Sequence, residues 1–163
     1  MVRISDTKLY VGAITDQHIG AGNSDWAVVH ATQSVHYPLM GWDRKLNKPP
    51  RNHAHYIIYA QDDRLSLNWV DGAAHLYEWS GTETFIRVLD FMDKWYPTKN
   101  ILVHCDQGQS RAPTVALLYL AKRLKNIPAD SFEEARRAFI TQYPHYAPSG
   151  IANYVAANWR TIH

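Results

Sequence analysis

The run ILVHCDQGQSRAPTVALLYLAKRL, residues 101–124, decides the fold. Ile101 to His104 form a very apolar run after Asn100, which reads as the central strand of a sheet. Beyond the loop, Val115, Leu118, Tyr119 and Leu124 recur at helical spacing, so a helix is predicted from about Ala112 to Lys125, broken by Asn126, Ile127 and Pro128. Between them lies a short polar loop with one glycine, Gly108. A strand, a tight loop and a helix start in that order can turn successive backbone N–H groups toward a common centre. Such a nest binds an anion, the helix N-terminus adds partial positive charge, and Arg111 can grip two oxygens at once.

Outward from this run the chain alternates strands and helices. Short β-rich stretches occur at Lys8 to Val11, Trp26 to His30, His55 to Tyr59 and Leu65 to Val70. Between Ser80 and Tyr96 the pattern is helical, with Phe85, Val88, Leu89, Met92 and Trp95 on one face, Ser80 and Glu83 placed for a capping box, and Pro97 as the stop. A further helix is predicted from Ser131 to about Gln142, with Ser131 and Glu134 at its start, and a last one after Pro148 with Ser149 as its cap. Residues 36–53, HYPLMGWDRKLNKPPRNH, have no clean period and contain Pro38, Pro49 and Pro50. They read as a long surface loop whose Arg44, Lys45, Lys48 and Arg51 could face an anionic substrate, or as a solvated insertion. No repeat or Gly/Ser linker divides the chain, so residues 1–163 are read as one domain.

Composition narrows the function. A net charge of +2 is too small to suggest a nucleic-acid or membrane-surface partner. No apolar run approaches the ~20 residues needed to span a bilayer, and no apolar leader follows Met1, so a cytoplasmic location and no membrane partner are expected. The nine histidines have no HExxH or paired Cys/His spacing, and no metal site is expected. Trp69, Trp79 and Trp95 fit apolar elements and read as core. Cys105, the one cysteine, has no partner for a disulfide within these 163 residues. It is a buried core residue or a reactive thiol, and the anion-binding field of its loop favours a nucleophilic thiolate.

Five residues separate Cys105 from Arg111. HCDQGQSR, residues 104–111, matches the His-Cys-x5-Arg signature of the cysteine-dependent phosphatases, and APTVALLYLAKRL resembles the helix after that loop in dual-specificity phosphatases. LYVGA resembles their opening strand, SFEEARRAF their penultimate helix and YAPSGI the approach to their last helix. The likeness spans most of residues 8–159. It implies an α/β, protein tyrosine phosphatase-like fold, with a mostly parallel sheet of about five strands flanked by helices. It also implies cofactor-free hydrolysis of phosphate monoesters through a phosphocysteine on Cys105. Asp106, Gln107, Gly108, Gln109, Ser110 and Arg111 would bind the phosphate, or an oxyanion such as vanadate. His104 would hydrogen-bond the loop backbone. The acid that protonates the leaving group and then activates water lies, in such enzymes, roughly thirty residues before the cysteine. Asp71 follows an apolar strand, precedes Gly72 and stands thirty-four positions upstream; Asp62, Asp63 and Glu78 are the other candidates.

Two features qualify the resemblance. Most relatives carry Ser or Thr after the loop arginine, where a hydroxyl stabilises the departing thiolate, and this chain has Ala112. Phosphoinositide-directed relatives commonly place lysines inside the loop, whereas here Asp106, Gln107 and Gln109 occupy its variable positions. The leading reading is therefore a phosphoprotein substrate, phosphotyrosine first and phosphoserine or phosphothreonine second. An RNA 5′-phosphate, nucleotide or inositol phosphate is the runner-up, followed by a phosphate-binding pseudophosphatase. A sulfurtransferase or arsenate reductase would use a similar loop but needs no upstream acid.

Overall fold

Parallel strands need long crossovers, and the helical stretches of this sequence supply them. The computed structural model describes residues 1–22, 25–43, 45 and 49–163. The strands are β1 (Val2–Arg3), β2 (Leu9–Gly12), β3 (Trp26–His30), β4 (Ile58–Gln61), β5 (Arg64–Leu67) and β6 (Asn100–His104). Among the described residues they form one sheet in the order β1-β2-β6-β3-β5-β4. The pairs β2–β6, β6–β3 and β3–β5 are parallel, and the edge pairs are antiparallel. β6 is thus internal, as its apolar composition requires. The strand beyond the five expected is β1, two exposed residues too short to leave a periodic signal.

The helices are α1 (Gln33–Met40), α2 (Gly81–Trp95), α3 (Arg111–Lys122), α4 (Phe132–Gln142) and α5 (Gly150–Ala157). α2 buries Phe85, Val88, Leu89 and Met92, the face its spacing predicts, each side chain contributing ~1.5–3 kcal/mol. α3 is buried from Arg111 to Ala121 and packs on β2 and β6, with α2, α4 and α5 against it. It stops at Lys122, short of the expected Lys125, because Lys125 turns left-handed (φ 57°) and the Asn126 N–H bonds back to the Leu120 carbonyl.

Several other expectations are corrected. Residues 33–40 are helical where a loop from 36 to 53 is expected. The Thr32 hydroxyl caps the helix by accepting from the Ser34 N–H at 3.1 Å, and Pro38 is tolerated inside it. The strand expected at 55–59 lies at 58–61, and the one expected at 65–70 is confined to 64–67, because residues 62 and 63 make the turn between β4 and β5. Ser80 makes no capping bond; its hydroxyl accepts from the Trp69 indole at 2.6 Å. Ser149 likewise makes no cap. Ser131 does cap α4, accepting from the Glu134 N–H. Trp79 is exposed rather than core, whereas Trp69 is buried.

The two faces of the sheet differ. Ala27, Val29, Ile101 and Val103 join the main hydrophobic core. Alternation along the strands turns Val28 and His30, and Leu102 and His104, to the other face. There His36 of α1 reaches Ser66 of β5 at 2.8 Å. All three deeply buried histidines, His30, His36 and His104, therefore occupy the face away from that core.

Candidate active site

Parallel strands present their carboxyl ends at one edge of the sheet, where ligands of α/β proteins bind. β6 delivers Cys105 there, with its N–H 3.4 Å from the Gly12 carbonyl at the end of β2. The loop then wraps a cavity of about 160 Å³ lined by Asp71, Cys105, Asp106, Gln107, Gln109, Ser110, Arg111 and Ala147. Gly108 is not on its wall. It takes φ +72°, its Cα faces the Gly12 carbonyl so closely that a Cβ would sit 3.0 Å from that oxygen, and its own carbonyl accepts from the Tyr143 hydroxyl at 2.7 Å. A side chain there would be strained and crowded at once.

Arg111 is 4% exposed. Its Nη1 donates to the Trp69 carbonyl at 2.7 Å and its Nη2 lies 3.3 Å from Asp106 Oδ2. Its buried Nε–H has no hydrogen-bond partner among the described residues. Asp106 does not swing away from the site. Its Oδ1 accepts from Thr32 at 2.7 Å while Oδ2 faces Arg111. Burial works to raise its pKa, but the Thr32 hydrogen bond and the Arg111 charge outweigh that and hold the carboxyl below its ordinary range.

Asp71 reaches the same cavity from the segment after β5. Ser149, just before α5, donates to Asp71 Oδ1 at 2.5 Å, and its N–H donates to the Ser110 hydroxyl at 3.0 Å. The Gly150 N–H bonds the Gly72 carbonyl at 2.8 Å. One short stretch thus ties the Asp71 segment to the Cys105 loop. Beneath the loop, the His104 ring places Nδ1 3.3 Å from the Cys105 carbonyl and Nε2 2.6 Å from His30 Nδ1.

Of the other acids, Asp62 and Asp63 sit in the β4–β5 turn, where Asp63 pairs with Lys99 at 3.0 Å. Glu78 lines a separate groove that also holds Arg51 and Trp79. Arg44 and Lys48 lie outside the described residues, and Arg51 is spent over the Trp79 ring at 4.3 Å. Ser149 reads as a cap in the sequence but holds Asp71 instead, Trp69 is core as expected and adds its carbonyl to Arg111, and nothing in the sequence singles out Thr32 or His30. No local pattern marks these contacts, since each joins elements more than thirty residues apart. No group of three His, Cys, Asp or Glu side chains suited to a metal occurs among the described residues.

The sequence matches no family model and no curated protein. Solved structures do match. They include the Cydia pomonella PTP-2 phosphatase (22% identity, TM-score 0.60, 95% of this chain and 86% of that one) and the Yvh1 phosphatase domain from Chaetomium thermophilum (18%, 0.60, 98% and 95%). Human DUSP28 aligns at 14% identity with a TM-score of 0.63 over 99% of this chain and 96% of its own. The chain thus has a protein tyrosine phosphatase-like fold, the one these solved structures share.

Proposed function

We propose that this chain is a single-domain, cysteine-dependent phosphatase acting on phosphate monoesters, with phosphotyrosine in proteins as its leading substrate and phosphoserine or phosphothreonine also accepted. The observation that carries this reading is the shared cavity: Cys105, Arg111 and Asp71 line the same pocket, and Arg111 keeps a buried Nε–H without a protein acceptor among the described residues. A tetrahedral oxyanion is the acceptor such a donor suits.

In the first step Cys105 Sγ attacks phosphorus, the P–O bond to the leaving group breaks, and the Asp71 carboxyl gives that oxygen its proton. In the second, water attacks phosphorus, the Asp71 carboxylate takes its proton, and the P–S bond breaks to return the thiolate. Asp106, Gln107, Gln109, Ser110 and Arg111 surround the phosphoryl oxygens at the start of α3, where the helix dipole favours negative charge, and Gly108 shapes the turn of the loop from behind. The ionised Asp106 carboxyl at the pocket rim opposes a polyanionic headgroup, which favours a substrate with one phosphate. A reducing cytoplasm suits a catalytic thiol.

p-Nitrophenyl phosphate hydrolysis with a chelator present tests the reading. Turnover should persist, vanadate should inhibit, and Cys105→Ser should abolish turnover while still binding vanadate. Asp71→Asn should cost about 10²- to 10⁴-fold on esters with poor leaving groups and much less on activated ones. Metal-dependent turnover that survives Cys105→Ser would overturn the proposal. A panel of phosphotyrosine, phosphoserine and phosphothreonine peptides, RNA 5′-triphosphate and inositol phosphates then separates the substrate classes.

A further inference from the structure

His30 and His104 stand directly opposite each other in the parallel β3–β6 register, on the same face of the sheet. Their rings meet edge to face, with His30 Nδ1 2.6 Å from His104 Nε2. The protons of this pair follow from one fixed point. A carbonyl only accepts, so the contact between His104 Nδ1 and the Cys105 carbonyl requires a proton on that Nδ1. Burial then disfavours charge on either ring: it lowers the pKa of His104, and, reinforced by His104, Arg64 and His18, it holds His30 down to about 3. With His104 neutral and its Nδ1 protonated, its Nε2 carries a lone pair. The proton between the rings therefore belongs to His30 Nδ1.

We propose that His30 is a positioning residue for Cys105, its Nδ1–H holding His104 in the one tautomer whose ring can donate to the Cys105 carbonyl. This rests on the phosphatase reading for its purpose but not for its chemistry. The chain runs from His30 Nδ1–H to His104 Nε2, and from His104 Nδ1–H to the Cys105 carbonyl. Without His30, the His104 proton is free to move to Nε2, and a lone pair on Nδ1 then faces the carbonyl oxygen. The tether on the residue that carries the nucleophile is lost. The groups acting on the pair come from several elements. Asp16, after β2, and Asp106 of the loop favour charge on His104 while Arg111 of α3 opposes it; Arg64 of β5 and His18 oppose charge on His30. His30 also lines a cavity of about 520 Å³ with His18 and Arg64.

The test has two arms. Long-range ¹⁵N–¹H spectra of the unaltered protein read the tautomers directly, and both His30 and His104 should carry their proton on Nδ1 at neutral pH. A His104 proton on Nε2 would overturn the proposal whether or not the chain is a phosphatase. In the second arm, His30→Leu should lower kcat/KM about tenfold, the size of one lost hydrogen bond, and move the pH profile of Cys105 alkylation upward by about half a unit. His30→Asn, whose amide can donate from a similar position, should restore most of both. Equal losses in the Leu and Asn variants with an unmoved alkylation profile would reduce His30 to packing and overturn the proposal. Failure of the phosphatase reading alone would leave the tautomers and the alkylation shift in place.

Discussion

Ala112 places a methyl group, fully buried in the first turn of α3, at the position where most of the phosphatases that the signature loop resembles carry a hydroxyl. The hydroxyls of the loop and helix start are engaged elsewhere: Ser110 Oγ accepts the Ser149 N–H and lies 3.2 Å from Ser149 Oγ, which can accept its proton because the Ser149 hydroxyl donates to Asp71, and Thr114 Oγ1 donates to the Ser110 carbonyl. Nothing in this turn takes over the task of stabilising the thiolate as it leaves phosphorus. Under the proposed mechanism, phosphocysteine breakdown should then limit turnover. Stopped-flow hydrolysis of p-nitrophenyl phosphate should give a burst of phenol before the steady state. Ala112→Ser should shrink that burst and raise kcat by up to about tenfold, the value of one hydrogen bond to a charged group at ~1.5 kcal/mol. A trace without a burst would place the slow step earlier and remove the argument.

α5 acts on the site through its first turn, which packs directly on the segment after Asp71. A Cβ at Gly150 would lie 2.2 Å from the Ala74 nitrogen and 2.4 Å from the Ala73 carbonyl carbon. These are backbone atoms that no rotamer change moves, so Gly150→Ala must displace either α5 or residues 72–74. The cost of such overpacking is ~1–3 kcal/mol, a fall of roughly 2–12 °C in Tm for a chain of this size. Because Asp71, the acid of the proposed mechanism, rides on the same segment, kcat on esters with poor leaving groups should drop more than on activated ones. A lowered Tm with unchanged leaving-group sensitivity would show that α5 supports the fold without placing Asp71. This contact also marks the limit of what the chain reveals before folding. The β6-loop-α3 unit was legible because strand period, glycine and helix period fall within one contiguous run. The inward face of α2 was legible for the same reason. α1 was not, since Pro38 argues for a loop while its cap, Thr32, and the burial of His36 against Ser66 are decided by tertiary packing. Cys105 and Arg111 could be proposed from spacing alone, and Asp71 from its distance upstream and the strand before it. The contacts that bind these residues to one another, through Ser149, Trp69 and Thr32, cross between elements and leave no local trace.

At the scale of the whole molecule, the histidine-bearing face of the sheet couples stability to pH. His30, His36 and His104 are buried chiefly in neutral form, with burial the largest cause lowering each pKa from an ordinary 6.5, His30 to about 3. The unfolded chain therefore binds more protons than the folded one below pH 6.5, and stability falls as pH falls, at up to about 1.4 kcal/mol per pH unit for each histidine. For His30 alone the loss down to its folded pKa is on the order of 4 kcal/mol, a large share of the ~5–15 kcal/mol that holds a typical domain together. Asp106, whose pKa is lowered from 3.8, adds stability above that pH and loses it only at still lower values, so it deepens the acid limit without setting where the decline begins. Tm should accordingly fall steadily from pH 7 to pH 4. His30→Asn, which cannot gain a proton on unfolding, should flatten that slope by close to one proton's worth. Thermal melts followed by circular dichroism across this range supply the check. A Tm that stays level between pH 6.5 and 4.5 would mean that these histidines take up protons without unfolding the sheet, and that its polar face opens to water while the main core stays intact.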